Sequence, residues 1–181
     1  MLNFLKNQGE ILNFHFNPDE IVSDFEPAAI SAFGHTFPGA RMKGCHFHFT
    51  QALWKNIQKI GLTKYYNQNQ TTRDWLNLFK SLAFLPQEYN QVAFNYIKSS
   101  KPRSLKLTKF QNYFESTWFN DRVFKIDLWN PFDTQGPRTN NHVEGYNYKI
   151  NAFIDFTHPH IYSAITTLKS LETNTSLNYY Q

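Results

Sequence analysis

The spacing of apolar residues changes near residue 62, and that change limits what this chain can fold into. Before it, short apolar runs alternate with helical patterns. Ile21-Val22-Ser23 is a β-branched run ending at Asp24, the pattern of a buried strand with an acid at its carboxyl end. Pro27 suits the first turn of a helix, with Ala28, Ala29, Ile30 and Phe33 on one side and Phe37-Pro38-Gly39 closing it. Residues 41–48 read as a second strand, leading into a helix with Leu53, Ile57 and Ile60 and a stop at Gly61. Strand, helix, strand, helix in that order favours parallel pairing in an α/β arrangement.

Beyond that point, from residue 71 to about residue 119, apolar residues recur at three and four. Leu76, Phe79 and Ala83 form one face; Phe110, Tyr113, Phe114, Thr117 and Trp118 form another. Leu85-Pro86 and Lys101-Pro102 punctuate what reads as an all-helical block. Residues 129–137 are loop-like, with Asp133, Gly136 and Pro137 as turn residues. A helix is expected from near Asn141, and a last one carries Ile161, Ala164, Ile165 and Leu168. The opening residues up to Phe16 read as the end of a helix broken by Asn17-Pro18, and residues 173–181 as a polar end that frays.

Composition supports a folded core. The chain is 41% hydrophobic and 18% aromatic, with 18 Phe, so ring packing dominates the expected interior. At 181 residues one domain is the natural expectation. A formal charge of +4 is compatible with a nucleic-acid partner without demanding one. The densest basic stretch, residues 98–109, reads as a solvated face before it reads as a phosphate-binding one. Cys45 is the single cysteine, which rules out an internal disulfide and suggests a reducing compartment. The first residues are too polar for a secretory signal, and no apolar run nears the roughly 20 residues that span a bilayer. A soluble, intracellular protein is expected.

Two acids sit where metal chemistry would want them. Asp24 ends a strand and Glu144 lies on a helix, and phosphodiester cleavage by two cations needs carboxylates held by rigid elements. Each has a plainer reading. An Asp before a helix is often its N-cap, and Asn141-His142-Val143-Glu144 has the spacing of a capping box. Cys45 and His48 are potential zinc ligands, but a structural site takes four. On a regular strand they face opposite sides and converge only if the strand ends between them. Arg138, near the start of the Asn141 helix, can contact a phosphate or pair with a local acid. His158-Pro159-His160 reads as a helix entry.

Taken together and in order, these segments resemble the catalytic domain of Mutator-like-element (MULE) transposases, which have an RNase H-like fold. The resemblance rests on Asp24-Phe25-Glu26, Phe37-Pro38, Gly44-Cys45-His46-Phe47-His48, Gln51, Gly61-Leu62, Leu85-Pro86, Trp129-Asn130, Arg138-Thr139-Asn140-Asn141, Glu144 and His158-Pro159. It implies an enzyme that cuts and joins DNA at transposon ends by two-metal phosphodiester chemistry with Mg²⁺ or Mn²⁺. It also implies the terminal inverted repeats as DNA partner, possible oligomerisation and a nuclear location. Asp24 and Glu144 would be the second and third acids of an Asp-Asp-Glu triad and its metal ligands. Cys45 and His48 would match a Cys-x-x-His element supporting the active centre, and Arg138, Asn140 and Asn141 would be DNA contacts.

The resemblance further implies an α/β class: a partial RNase H-like fold with an all-helical insertion. The whole chain, 1–181, would be a single partial domain, with RNase H-like portions at 1–62 and 138–181 and the insertion at 63–137. The first acid of the triad has no counterpart. Glu10, Asp19 and Glu20 are the acids preceding Asp24; none sits in a strand-like run, and Asp19-Glu20 reads as a loop after Pro18. The expectation is therefore a transposase fragment, inactive in cleavage as it stands because two carboxylates rarely position two metals. The alternatives are a non-catalytic DNA- or protein-binding module and a small helical scaffold whose acids are caps. The strand ending at Asp24 is also expected to have an unpaired edge.

Overall fold

A computed structural model describes residues 2–153 and 160–179, with side chains to residue 173. It is mostly helical with one small parallel sheet, an α/β arrangement. His158 and Pro159 lie outside the described residues. The chain divides into two compact units, Met1–Thr139 and Asn140–Gln181.

The first unit opens with helix α1 (Leu2–Ile11), followed by strand β1 (Glu20–Ser23), helix α2 (Pro27–Thr36), strand β2 (Arg41–Gly44) and helix α3 (His46–Lys59). The strand–helix–strand–helix reading holds. The strands are parallel, with Glu20 opposite Arg41 and Ser23 opposite Gly44. Backbone bonds extend the pairing at both ends, from Arg41 N–H to the Asp19 carbonyl (2.9 Å) and from Cys45 N–H to the Ser23 carbonyl (2.8 Å). Among the described residues β1 pairs with β2 alone, leaving its other edge without a strand.

Two expectations need correction. Glu20 is not in a loop: it is the first residue of β1, where its carboxylate lies 3.4 Å from the Arg41 guanidinium. That is the opposite end of the strand from Asp24. The second strand is also shorter than residues 41–48. It stops at Gly44, because Cys45 becomes the N-cap of α3 and its carbonyl accepts the Phe49 amide at 3.0 Å. A run such as Cys-His-Phe-His-Phe satisfies either period over so short a window, so spacing alone could not locate the boundary.

Helix α3 buries Phe49, Leu53 and Ile57 and ends where Gly61 takes a φ of 73°, the left-handed conformation that glycine adopts without strain. The helical block follows: α4 (Thr63–Gln68), α5 (Gln70–Ser81), α6 (Asn90–Ser99) and α7 (Leu105–Phe114). Asn69 caps α5 by accepting the Thr72 amide at 2.8 Å. Of the expected faces, Leu76, Phe79 and Ala83 on one side and Phe110, Phe114 and Trp118 on the other are buried, while Tyr113 and Thr117 are half-buried. Trp118 reaches the core on a π-helical turn, Glu115–Phe119, which continues α7.

Residues 63–137 do not form a core of their own. Phe49, Leu53 and Ile57 belong to the same buried cluster as Phe79, Phe114 and Trp129, so strand-bearing and helical parts share one interior. That interior is largely aromatic. Phe79 meets Trp75, Phe110 and Phe114 edge-on at 4.8, 5.1 and 4.8 Å, and Phe49 stacks on Trp129 at 5.2 Å. Such pairs add about 0.5–1.5 kcal/mol each beyond the area they bury.

A short helix, α8 (Ile126–Trp129), leads into the 130–137 loop. In the second unit, helices α9 (Asn141–Phe153) and α10 (Ile161–Tyr179) pack on each other. Both expected helices form, and α10 continues as helix to Tyr179 where a fraying end was expected. Ile161, Ile165 and Leu168 are exposed on it.

Candidate functional site

The carboxyl ends of β1 and β2 bring three chemically active side chains together. Asp24 follows β1 directly. Cys45 follows β2 as the N-cap of α3, and His48 is the third residue of that helix, so the two share the helix's first turn. The strand ends at Gly44, before Cys45 rather than between Cys45 and His48 as convergence on a strand would need, and the two converge because both lie in the first turn of α3. Their potential ligand atoms and one Asp24 oxygen lie within 4.8 Å of one another. Asp24 Oδ1 is 2.9 Å from His48 Nδ1.

Asp24 is not the cap of the helix that follows it. Helix α2 begins at Pro27 with Glu26 in the cap position, and the Asp24 carboxylate is directed to His48 instead. The environment is graded. Cys45 is fully buried, the His48 side chain is 25% exposed and that of Asp24 is 53% exposed. On its open side the cluster borders a cleft of about 390 Å³, whose wall includes Glu26, Gln51 and Lys55.

The convergence depends on packing that the spacing of the motifs does not reveal. The Phe25 ring lies against Gly44, where an added Cβ would come within 2.2 Å of Phe25 Cζ. The same ring meets Trp118 edge-on at 4.8 Å and Phe124 at 5.6 Å. The two loops bearing Asp24 and Cys45 are thereby clamped together from the core side.

Other residues of the recognised segments also serve as joints. Trp129 is fully buried, and its indole donates to the Trp118 carbonyl at 2.7 Å. The Asn130 amide donates to the Leu85 carbonyl at 2.8 Å, while its side-chain oxygen accepts the Phe132 amide at 2.9 Å. Trp129-Asn130 and Leu85-Pro86, distant in sequence, therefore form one joint.

Sequence reasoning missed Lys43. It is buried in β2 and donates to the Asn130 carbonyl (3.1 Å) and Asp133 Oδ1 (2.7 Å). Arg41 reaches the other Asp133 oxygen at 3.4 Å. The hydrogen bond from Lys43 holds the Asp133 carboxyl below its usual range. The signal, two basic residues at alternate positions of a strand, does not distinguish a buried pair from a solvated edge.

Arg138 is exposed, with its guanidinium 5.7 Å from the centre of the Phe84 ring. Its backbone carbonyl accepts the His46 amide at 3.0 Å. Burial and, secondarily, the Arg138 charge push the His46 pKa down, favouring a neutral ring. Within the 98–109 stretch, Lys98 pairs with Glu115 at 2.9 Å and Lys106 donates to the Gly61 carbonyl at 3.1 Å. Part of that charge is thus engaged within the fold.

Glu144, Asn140 and Asn141 belong to the second unit. The Asn140 carbonyl accepts the amides of Val143 (2.9 Å) and Glu144 (3.0 Å), so α9 is entered one residue earlier than a cap at Asn141 requires. Glu144 is its fourth residue rather than its third, off the capping-box spacing, and still close enough to the helix start for a negative charge to be favoured there.

The resemblance implies Mg²⁺ or Mn²⁺ at Asp24, and the neighbourhood of Asp24 is a poor fit. Mg²⁺ prefers near-octahedral oxygen ligands and retains water. The ligand atoms brought to Asp24 are a sulfur and an imidazole nitrogen, which suit softer ions. No helix among the described residues is long and apolar enough to cross a membrane. No family model, curated protein or solved structure matches this chain.

Proposed function

We propose that this chain is a segment of a Mutator-like-element transposase with a partial RNase H-like fold, derived from a nuclear enzyme that cuts and joins DNA at transposon ends. One observation carries the reading: the Phe25 ring packed on Gly44, which locks the Asp-Phe-Glu segment to the Gly-Cys-x-Phe-His segment. Through it Asp24 stands beside Cys45 and His48 at the carboxyl ends of two parallel strands. Open α/β sheets bind their ligands outside those ends. The Trp129-Asn130 joint to Leu85 lends further support, since a third and fourth segment of the resemblance meet there.

The second reading is a non-catalytic DNA-binding module, and the mixed donor set beside Asp24 favours it. Arg138 in the first unit and, separately, Asn140 and Asn141 at the start of α9 in the second are the residues proposed to meet backbone phosphates, since an exposed guanidinium and a helix start each favour anions.

The test is duplex-DNA binding across a salt series, followed by a nicking assay with Mg²⁺ or Mn²⁺. Binding should weaken linearly in log–log form as salt rises, and Arg138→Ala should reduce that slope by about one. No binding even at low salt overturns both DNA readings. Metal-dependent nicking abolished by Glu144→Gln selects the catalytic reading; salt-sensitive binding without nicking selects the module.

A further inference from the structure

We propose that Asp24, Cys45 and His48 form a binding site for a thiophilic divalent cation, with Zn²⁺ as the fitting occupant. This does not rest on the transposase reading: it concerns the donor set alone, and DNA binding can succeed or fail independently of it.

The three ligand atoms lie within 4.8 Å of one another, each from a different residue type. Zinc bonds of about 2.0–2.3 Å at tetrahedral angles require ligand atoms roughly 3.3–3.8 Å apart. The 4.8 Å bound on the three separations brackets that range, and the 2.9 Å Asp24–His48 contact would need to widen by a few tenths of an ångström. Side-chain rotation of the half-exposed Asp24 can supply that adjustment. The Cys45 backbone is held in place, its amide bound to the Ser23 carbonyl and its carbonyl to the Phe49 amide.

The donor chemistry selects the ion. A thiolate with an imidazole favours zinc and its neighbours over the oxygen-seeking Mg²⁺. Cys-x-x-His by itself lacks enough ligands, and the third comes from the neighbouring strand. Three protein ligands with one open position are the arrangement of zinc sites that exchange water or an anion. Asp24 and His48 line the same cleft as Glu26, Gln51 and Lys55, through which water or an anion would reach such an ion.

The competing account is a buried thiol beside a His–Asp contact that holds no ion, and cobalt separates the two. The full chain, stripped of metal with a chelator, is titrated with Co²⁺ and followed by absorption. Because Cys45 is the single cysteine, any thiolate-to-cobalt charge-transfer band reports that residue. The expected result is a saturable band with tetrahedral d–d transitions, displaced by Zn²⁺ but not by a large excess of Mg²⁺. Cys45→Ser should abolish it. Asp24→Asn, a change on the exposed side that should leave the fold and its circular dichroism intact, should weaken Co²⁺ binding by more than about 100-fold, beyond what loss of an outer partner causes. A chain that gives no charge-transfer band overturns the site. So does a band that Mg²⁺ displaces as readily as Zn²⁺, or Co²⁺ binding unchanged in Asp24→Asn.

Discussion

The ring of Phe25 fills the space that any side chain at position 44 would need: a Cβ on Gly44 would sit 2.2 Å from Phe25 Cζ and 2.4 Å from Cε1. Real carbon contacts are far longer, so a larger residue forces the ring or the strand to move. The ring is itself confined by Trp118 and Phe124, both edge-on to it. Gly44→Ala is therefore expected to destabilise the fold by about 1–3 kcal/mol, the range for overpacking a closed interior. In a Phe25→Leu background the same change should cost less, and urea midpoints of the four proteins measure the difference. Equal costs in both backgrounds would mean the ring is not the obstacle.

Asn130 is fully buried and joins the loop after α8 to the turn at Leu85. Replacing it with Ala leaves the Leu85 carbonyl and the Phe132 amide without these partners. A loss of about 1–3 kcal/mol is expected, the cost of stranding buried polar groups. Hydrogen exchange at the Phe132 amide should accelerate in the same variant. An unchanged exchange rate there would count against the joint.

Trp129 combines a parallel stack on Phe49 with an indole hydrogen bond to the Trp118 carbonyl. Trp129→Ala should cost about 3–5 kcal/mol, as for large aromatic truncations in cores. Trp129→Phe keeps a ring against Phe49 and loses the donor, so its cost should be smaller. Chemical denaturation of the two variants orders them, and the reverse order would remove the stack as the main contribution.

Asp133 accepts from the buried Lys43 ammonium, and its pKa is lowered in the folded protein chiefly by that hydrogen bond. A carboxyl with a depressed folded pKa contributes stability that is fully present above its unfolded value, about 3.9, and is lost as pH falls through the folded one. Asp133→Asn should thus be less stable than the parent at neutral pH, with the gap closing in acid. Because the Asp133 side chain is 49% exposed, the effect is screened by solvent and should shrink in high salt. Urea titrations at neutral and strongly acidic pH give the comparison, and a gap independent of pH would exclude the pair as its source.

The elements themselves were largely legible. Ile21-Val22-Ser23, Pro27 and the three-and-four spacing after residue 71 each specify local conformation through β-branching, fixed φ or a single apolar face. The observed β1, α2, α5 and α7 follow from those properties. What failed was the second strand boundary, where apolar and aromatic residues fit both periods and only the cap at Cys45 decides. Glu20 failed similarly, since Pro18 nearby suggested a loop and its place in β1 depends on pairing with Arg41.

The site divides along the same line. The sequence by itself determined that Asp24 ends a strand, that Cys45 and His48 are three apart, and that one cysteine excludes an internal disulfide. It could not determine that Asp24 turns toward His48 rather than capping α2, nor that Cys45 joins them. Those depend on the parallel register of β1 and β2 and on the Phe25 ring seated over Gly44, contacts between residues far apart along the chain. Local propensity acts within a few residues. Only the packed core sets which distant side chains meet, and here it gives the acid a sulfur and a nitrogen for neighbours.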